Sequence, residues 1–219
     1  MVKGRFFLFL SFALSVLFFT GCGHTPVTRT VFDAIPSFNK TLDRFSTNPN
    51  LRYLRVTVKN QSIFMVLGYT EKNSVGDIEV WYSSTGEVIR LQNGRIIGTI
   101  GLETDWLNVI HLSLPSWNSL ANNPKALYQR QRDQMPGYRF GIVESVSIYP
   151  TPPPTNSKIV NTLANQFRWY EEVTLNTDNK LPSARYAVQN RDGVLRIAYG
   201  EQCLTENFCL SWQLWPVTK

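Results

Sequence analysis

The chain has 219 residues, of which 43% are hydrophobic, 13% aromatic and 17% charged, a balance that excludes disorder, collagen and coiled coil and fits a folded domain. Its formal net charge of +6 is scattered among aromatics and acids and forms no basic cluster, which argues against nucleic acid as a partner. Three cysteines and two histidines, with no CxxC or HExxH string, are too few for a metal site at recognised spacing, and no cofactor is indicated.

The first 21 residues read as an export signal. Lys3 and Arg5 form a positive start, Phe6 to Phe19 form an apolar run broken only by Ser11 and Ser15, and small residues follow at Thr20, Gly21 and Cys22. As a helix this run would span about 21 Å against about 30 Å of hydrocarbon, so a cleaved segment fits better than a transmembrane helix. Phe19-Thr20-Gly21-Cys22 resembles the bacterial lipoprotein box, with Phe19 where leucine is usual. The resemblance implies cleavage before Cys22 and acylation of that cysteine, palmitate included. Two or more acyl chains hold a protein at a membrane essentially permanently. By the same resemblance, Gly23 in place of aspartate implies sorting to the outer membrane, with the body on the periplasmic face. Residues 22–30 carry no apolar periodicity and read as a tether. His24 falls within it and reads as a solvated linker residue.

A single β-rich domain is expected over residues 31–219. It opens with Val31, Ile35, Phe38, Leu42 and Phe45, spaced as one face of an amphipathic helix, with Pro36 suited to an early helical position. The period then changes to two: Leu54, Val56 and Val58 alternate with Arg55, Thr57 and Lys59, and Ile78, Val80 and Tyr82 with Asp77, Glu79 and Trp81. Further strands are expected at 62–69, 87–92, 95–100, 138–149, 167–175, 184–189, 194–199 and 210–215, about ten in all. Asn93-Gly94 suits a two-residue type I′ hairpin, and Ser84-Thr85-Gly86 and Asp192-Gly193 mark two more turns. Strands joined by tight turns with almost no helix between them imply an all-β antiparallel barrel or sandwich. Ser113–Pro136 and Pro150–Asn156 read as loops, the first with a helical turn near Lys125–Gln131 and the second stiffened by Pro152-Pro153-Pro154.

Cys203 and Cys209 flank five residues between two strands, which places them opposite each other near a hairpin end and within reach of a disulfide. An exported chain enters an oxidising compartment that favours the bond.

The chain carries no Gly-x-Ser-x-Gly elbow and no Walker-type glycine loop. His111, between Ile110 and Leu112, reads as a structural histidine and not as a general base. The sharpest enzymatic feature is a carboxylate pair. Glu144 interrupts the alternating set Tyr138, Phe140, Ile142, Val146 and Ile148, and Glu171 interrupts Phe167, Trp169, Val173 and Leu175. Inward carboxylates about 5 to 10 Å apart would suit a glycosidase. The alternatives are bulges that turn them outward, or neutralisation by Arg139 or Arg168 at a rim. The six tryptophans would serve either as stacking faces for sugar rings or, more commonly, as core.

Glu79 to Trp106, reading EVWYSSTGEVIRLQNGRIIGTIGLETDW, together with Pro136-Gly137-Tyr138-Arg139-Phe140-Gly141, resembles the YjbF/GfcB family of group 4 capsule polysaccharide lipoproteins. The resemblance implies an all-β outer-membrane lipoprotein accessory to exopolysaccharide or capsule production or secretion, working beside protein partners of the same system. It transfers no catalytic residue and no enzymatic activity. The expected action is therefore binding, of a secretion partner or of the polysaccharide itself. A periplasmic polysaccharide hydrolase or modifying enzyme using Glu144 and Glu171 is the alternative.

Overall fold

The structure, a computed structural model, describes residues 47–175 and 181–216. The export signal, the tether with Cys22 and the helix expected over Val31–Phe45 lie outside these residues. The elements in chain order are β1 (Tyr53–Val58), β2 (Gln61–Glu71), β3 (Ile78–Tyr82), β4 (Val88–Gln92), β5 (Arg95–Ile100), β6 (Asp105–Leu112), α1 (Trp117–Asn122), β7 (Ala126–Met135), β8 (Arg139–Thr151), a 3-10 turn (Ala164–Gln166), β9 (Arg168–Thr174), β10 (Ala184–Arg191), β11 (Val194–Cys203) and β12 (Cys209–Trp215).

All twelve strands belong to one sheet in the order β5-β4-β3-β2-β1-β12-β11-β10-β9-β8-β7-β6, antiparallel at every step. The two end strands meet at a seam. Thr99 Oγ1 donates to Asp105 at 2.9 Å, and Trp106 N donates to Thr99 Oγ1 at 3.1 Å. A Cβ on Gly98 would stand 3.4 Å from the Leu107 carbonyl oxygen, so the bare backbone lets β5 come close to β6. The sheet is thus a nearly closed barrel, which leaves little open edge. The turns expected from sequence form as type I′ hairpins at Asn93-Gly94 (φ 50° and 76°) and Asp192-Gly193 (φ 53° and 80°), and Lys59-Asn60 (φ 46° and 69°) makes another.

One stretch departs from the expectation. The loop expected over Ser113–Pro136 holds strand β7, and its helix lies at Trp117–Asn122, not at Lys125–Gln131. Ser116 caps α1, its hydroxyl accepting from Ser119 N at 3.0 Å. The reason β7 is hidden is chemical: its buried positions are Tyr128, Arg130, Arg132 and Gln134, so a polar inner face replaces the apolar one that periodicity detects.

The interior is filled by Leu54, Val56, Met65, Trp81, Ile89, Trp106, Ile148, Tyr186 and Trp212, among others. At one pole Trp117 and Leu120 of α1 turn inward, and residues 47–52 lead into β1 there, with Asn48 N donating to Tyr53 Oη at 3.1 Å and Leu67 N to the Arg52 carbonyl at 3.0 Å. The opposite pole is closed by the β11–β12 connection. There Leu204 and Phe208 are buried, and Leu204 O accepts from Trp106 Nε1 at 3.0 Å. Cys203 pairs with Cys209 in the ladder, with Cα atoms 3.8 Å apart and the sulfurs joined.

Outside the barrel, residues 152–167 cross the wall as a strap. Gln213 Nε2 donates to the Val160 carbonyl at 2.9 Å, Val160 N donates back to Gln213 Oε1 at 3.1 Å, and Lys158 N donates to Tyr199 Oη at 2.9 Å. Beneath it Trp169, Ala187 and Tyr199 form a second apolar cluster with Ile159, Ala164 and Phe167.

Candidate functional site

The barrel interior holds charge as well as hydrocarbon. Glu144 is fully buried; its Oε2 accepts from Arg130 Nε at 2.7 Å and its Oε1 from Arg132 Nε and Nη2 at 3.1 and 2.9 Å. Arg132 also donates to Gln134 Oε1 at 2.6 Å, and both guanidiniums lie 4.8 Å from the Trp106 ring centre. A carboxylate that accepts three charge-assisted bonds from two arginines is a fixed counterion. It is clamped within the wall by Arg130 and Arg132, not by the Arg139 or Arg168 considered from sequence.

Glu171 does not join it. Register pairs Glu171 with Tyr149 and Arg185, while Ile148 and Val146, of the same parity as Glu144, face inward. Glu171 therefore points to the outer wall, where it accepts from Tyr149 Oη at 3.1 Å and lies 3.7 Å from Arg185 Nε. The inward acid of β9 is its neighbour Glu172, bound by Arg95 Nε at 2.7 Å with both side chains 2% exposed. The alternation of Phe167, Trp169, Val173 and Leu175 is real but belongs to the outer face: the strap covers Phe167 and Trp169, and Leu175 is 53% exposed. The two glutamates thus lie on opposite sides of one wall.

Electrostatics in this interior follow from burial and pairing. Burial opposes the Glu172 carboxylate, yet Arg95 and then Arg130 hold its pKa below the ordinary value. The Arg95 guanidinium lies 3.8 Å from the Trp117 ring centre and 5.5 Å from that of Tyr186. His111 faces Tyr128, with ring centroids 5.7 Å apart. Burial first, then Arg95, lowers its pKa to about 3, with Glu172 opposing. It is a neutral imidazole at physiological pH and not a poised general base. Among the described residues no three of His, Cys, Asp and Glu lie grouped to hold a metal.

The open feature is a cleft of about 690 Å³ at the α1 pole. Its floor is the end of the core, with Leu54, Leu91, Ile197 and Trp212, and Trp117 of α1 forms one side. Tight backbone packing shapes it. A Cβ on Gly94 would stand 2.6 Å from Ile197, and one on Gly200 would stand 2.4 Å from the Trp212 ring. The rim is polar: Arg52, Lys72, Asp77, Glu79, Asn93, Gln189, Arg191 and Arg196. Arg52 pairs with Glu79 and Lys72 with Asp77, each at 2.6 Å. Leu195 N donates to Asn118 Oδ1 at 3.0 Å and Trp117 Nε1 to the Asn93 carbonyl at 2.9 Å, so α1 is fixed to both hairpins beside the cleft. Sequence reasoning did not find this site, because its residues come from seven separate strands and one helix. Its only local signals were the two type I′ turns and the arginines beside the second.

The tryptophans are committed to packing. Trp81, Trp106, Trp117, Trp169 and Trp212 are 4% exposed or less, and Trp215 is half-buried against Phe64, ring centroids 5.5 Å apart. A different surface is left uncovered on the outer wall, where Ile110, Leu112, Leu127 and Val143 of β6–β8 are 44% to 69% exposed among the uncharged partners Gln129, Gln131, Ser145 and Ser147.

No curated protein matches the chain. Among solved structures, the crystal structure of the hypothetical lipoprotein YmcC from Escherichia coli (K12) superposes with a TM-score of 0.56 at 16% identity, over 86% of this chain and 92% of that one, a likeness of fold. The model of the family described as group 4 capsule polysaccharide lipoprotein gfcB, YjbF matches residues 42–199, which run from just before β1 to Tyr199 beneath the strap and include most of the cleft. The chain belongs to the YjbF family of group 4 capsule polysaccharide lipoproteins.

Proposed function

We propose that this lipoprotein is an accessory of exopolysaccharide or capsule production and secretion, held at the periplasmic face of the outer membrane by acyl chains on Cys22, and that it acts by binding the exported polysaccharide in the cleft beside α1. In this reading residues 1–21 are removed, residues 22–30 are the tether, residues 31–219 form the binding body, and Cys203–Cys209 is a disulfide formed after export. The observation that supports the reading best is the cleft itself. It is large enough for a few sugar units, with an apolar floor and a rim of amides and guanidiniums, the groups that hydrogen-bond hydroxyl-rich ligands. Anchoring raises the local concentration of the body near the export site, so a weak contact suffices. The hydrolase alternative has no support in the carboxylates it would use, since Glu144 and Glu171 face opposite sides of the wall.

The test is a titration of the acylated protein with purified polysaccharide from the producing strain, beside a Thr70→Trp variant that fills the cleft mouth. Binding lost in the variant supports the reading, and equal binding by both rejects the cleft. In cells, Cys22→Ser should release the protein from membranes and lower surface polysaccharide; a soluble protein with unchanged polysaccharide rejects the role of the anchor.

A second reading, contact with a secretion partner, is favoured by the uncovered apolar wall of β6–β8, since exposed apolar patches mark interaction surfaces. A Leu112→Lys/Leu127→Lys variant should then lose whatever protein co-purifies from detergent-solubilised membranes.

A further inference from the structure

We infer that the ligand of the cleft is an acidic glycan, whose carboxylates or other anionic groups are read by Arg191 and Arg196 of the β10–β11 hairpin. The inference rests on the proposed polysaccharide-binding role and names the chemical class of its ligand.

A neutral sugar polymer offers hydroxyls and flat C–H faces, and tight sites for it set exposed aromatic rings against those faces. This cleft has none to offer: Trp117 and Trp212, its two aromatic lining residues, are 4% and 2% exposed and belong to the packed core. What the cleft presents outward is charge. Four cations and two carboxylates line it. The carboxylates are taken: Glu79 by Arg52 and Asp77 by Lys72, each at 2.6 Å. Arg191 and Arg196 are exposed, and their side chains form no ion pair or hydrogen bond with any described residue. Asp192, in the hairpin turn, is not among the lining residues.

Two guanidiniums left over in a cleft whose acids are already neutralised favour an anion. The planar fork of arginine matches a carboxylate or a phosphate in two parallel bonds. The hairpin sets the two arginines on one face, since Gln189 pairs with Arg196 and Arg191 with Val194. A polymer with an acid in each repeat could engage both at once, or rebind between them, which raises its effective affinity over that of a single sugar.

The experiment uses the full-length acylated protein in detergent and two defined probes of equal length: oligogalacturonate as the acidic glycan and maltodextrin as the neutral one. The wild type, an Arg191→Gln/Arg196→Gln variant and Thr70→Trp are compared. The expected result is oligogalacturonate binding at least about tenfold tighter than maltodextrin, a loss of about tenfold or more in the double glutamine variant, and weakening between about 50 and about 300 mM salt. Maltodextrin binding as well as oligogalacturonate, with the glutamine variant unchanged, overturns the acidic class while the cleft reading stands. Oligogalacturonate binding lost in Thr70→Trp but intact in the glutamine variant overturns the assignment to these two arginines. Binding of neither probe overturns both this inference and the polysaccharide reading beneath it.

Discussion

Arg95 and Glu172, 77 positions apart in sequence, meet at 2.7 Å inside the barrel, and Trp117 lies over the guanidinium at 3.8 Å. The pair ties β5, next to the seam, to β9 on the far wall, under the helix that covers the pole. Removing one partner leaves a buried charge without its counterion, which costs about 3–5 kcal/mol. Arg95→Met and Glu172→Gln should each lower the denaturant midpoint accordingly, and Arg95→Met/Glu172→Leu should recover much of the loss. Additive effects in the double variant would show that the two groups do not act as a pair.

The clamp on Glu144 makes a related forecast with a sharper contrast. Glu144→Gln leaves Arg130 and Arg132 without their shared anion and should destabilise by about 3–5 kcal/mol. Glu171→Gln, on the outer wall, should cost less than about 1 kcal/mol. Thermal unfolding of the two variants checks this. A stable but inactive Glu144→Gln protein would instead favour a chemical role for that residue.

His111 sets a pH dependence whose sign is fixed. Its folded pKa of about 3 lies below the ordinary 6.5, so on acidification the unfolded chain takes up a proton that the folded chain refuses. Stability should therefore fall from pH about 6.5 downward, at no more than about 1.4 kcal/mol per pH unit and less because the ring is partly exposed. The depressed Glu172 pKa acts in the same direction, since its contribution is lost as pH falls through the folded value. Denaturation of a His111→Gln variant across this range should show a flatter slope, and an unchanged slope would reject the assignment.

Gly200 is a packing prediction. An added Cβ would stand 2.4 Å from the Trp212 ring, which lies at the floor of the cleft. Gly200→Ala should destabilise by about 1–3 kcal/mol and shift the tryptophan fluorescence, because the indole must tilt. A variant as stable as the wild type would mean that Trp212 can repack freely.

The proposed disulfide closes a loop of seven residues, for which the chain-entropy estimate is about 2.4 kcal/mol. Cys203→Ser/Cys209→Ser should lose stability on that order, and reductant should have little further effect on it. Wild-type protein that unfolds identically with and without reductant would reject the bond.

The hairpins were legible in the sequence because Asn93-Gly94 and Asp192-Gly193 are local signals, and most strands were legible because one face is apolar and the other wet. β7 was not, since a strand that turns Arg130 and Arg132 into a core breaks the alternation by which strands are recognised. The same chemistry misled the reading of β9. Its regular apolar set lies on the outer face, with Phe167 and Trp169 under the strap, so the acid that enters the barrel is Glu172 and not Glu171. Burial of an ion pair depends on a partner tens of residues away, which no window along the chain contains. The helix was displaced for a smaller reason: Ser116, a usable cap after Pro115, marks the start of α1, but the polar run beyond it resembles a helix just as well.

The route by which the polypeptide enters the barrel carries one more implication. β1 starts at the α1 pole, and Arg52, one residue before it, already belongs to the cleft rim. Among the described residues, the lead into β1 thus meets the cleft at Arg52 and Leu54. If Cys22 carries the proposed anchor and the cleft takes the proposed polysaccharide, a pull on the bound polymer would be felt at Arg52, where the cleft rim joins the lead into β1.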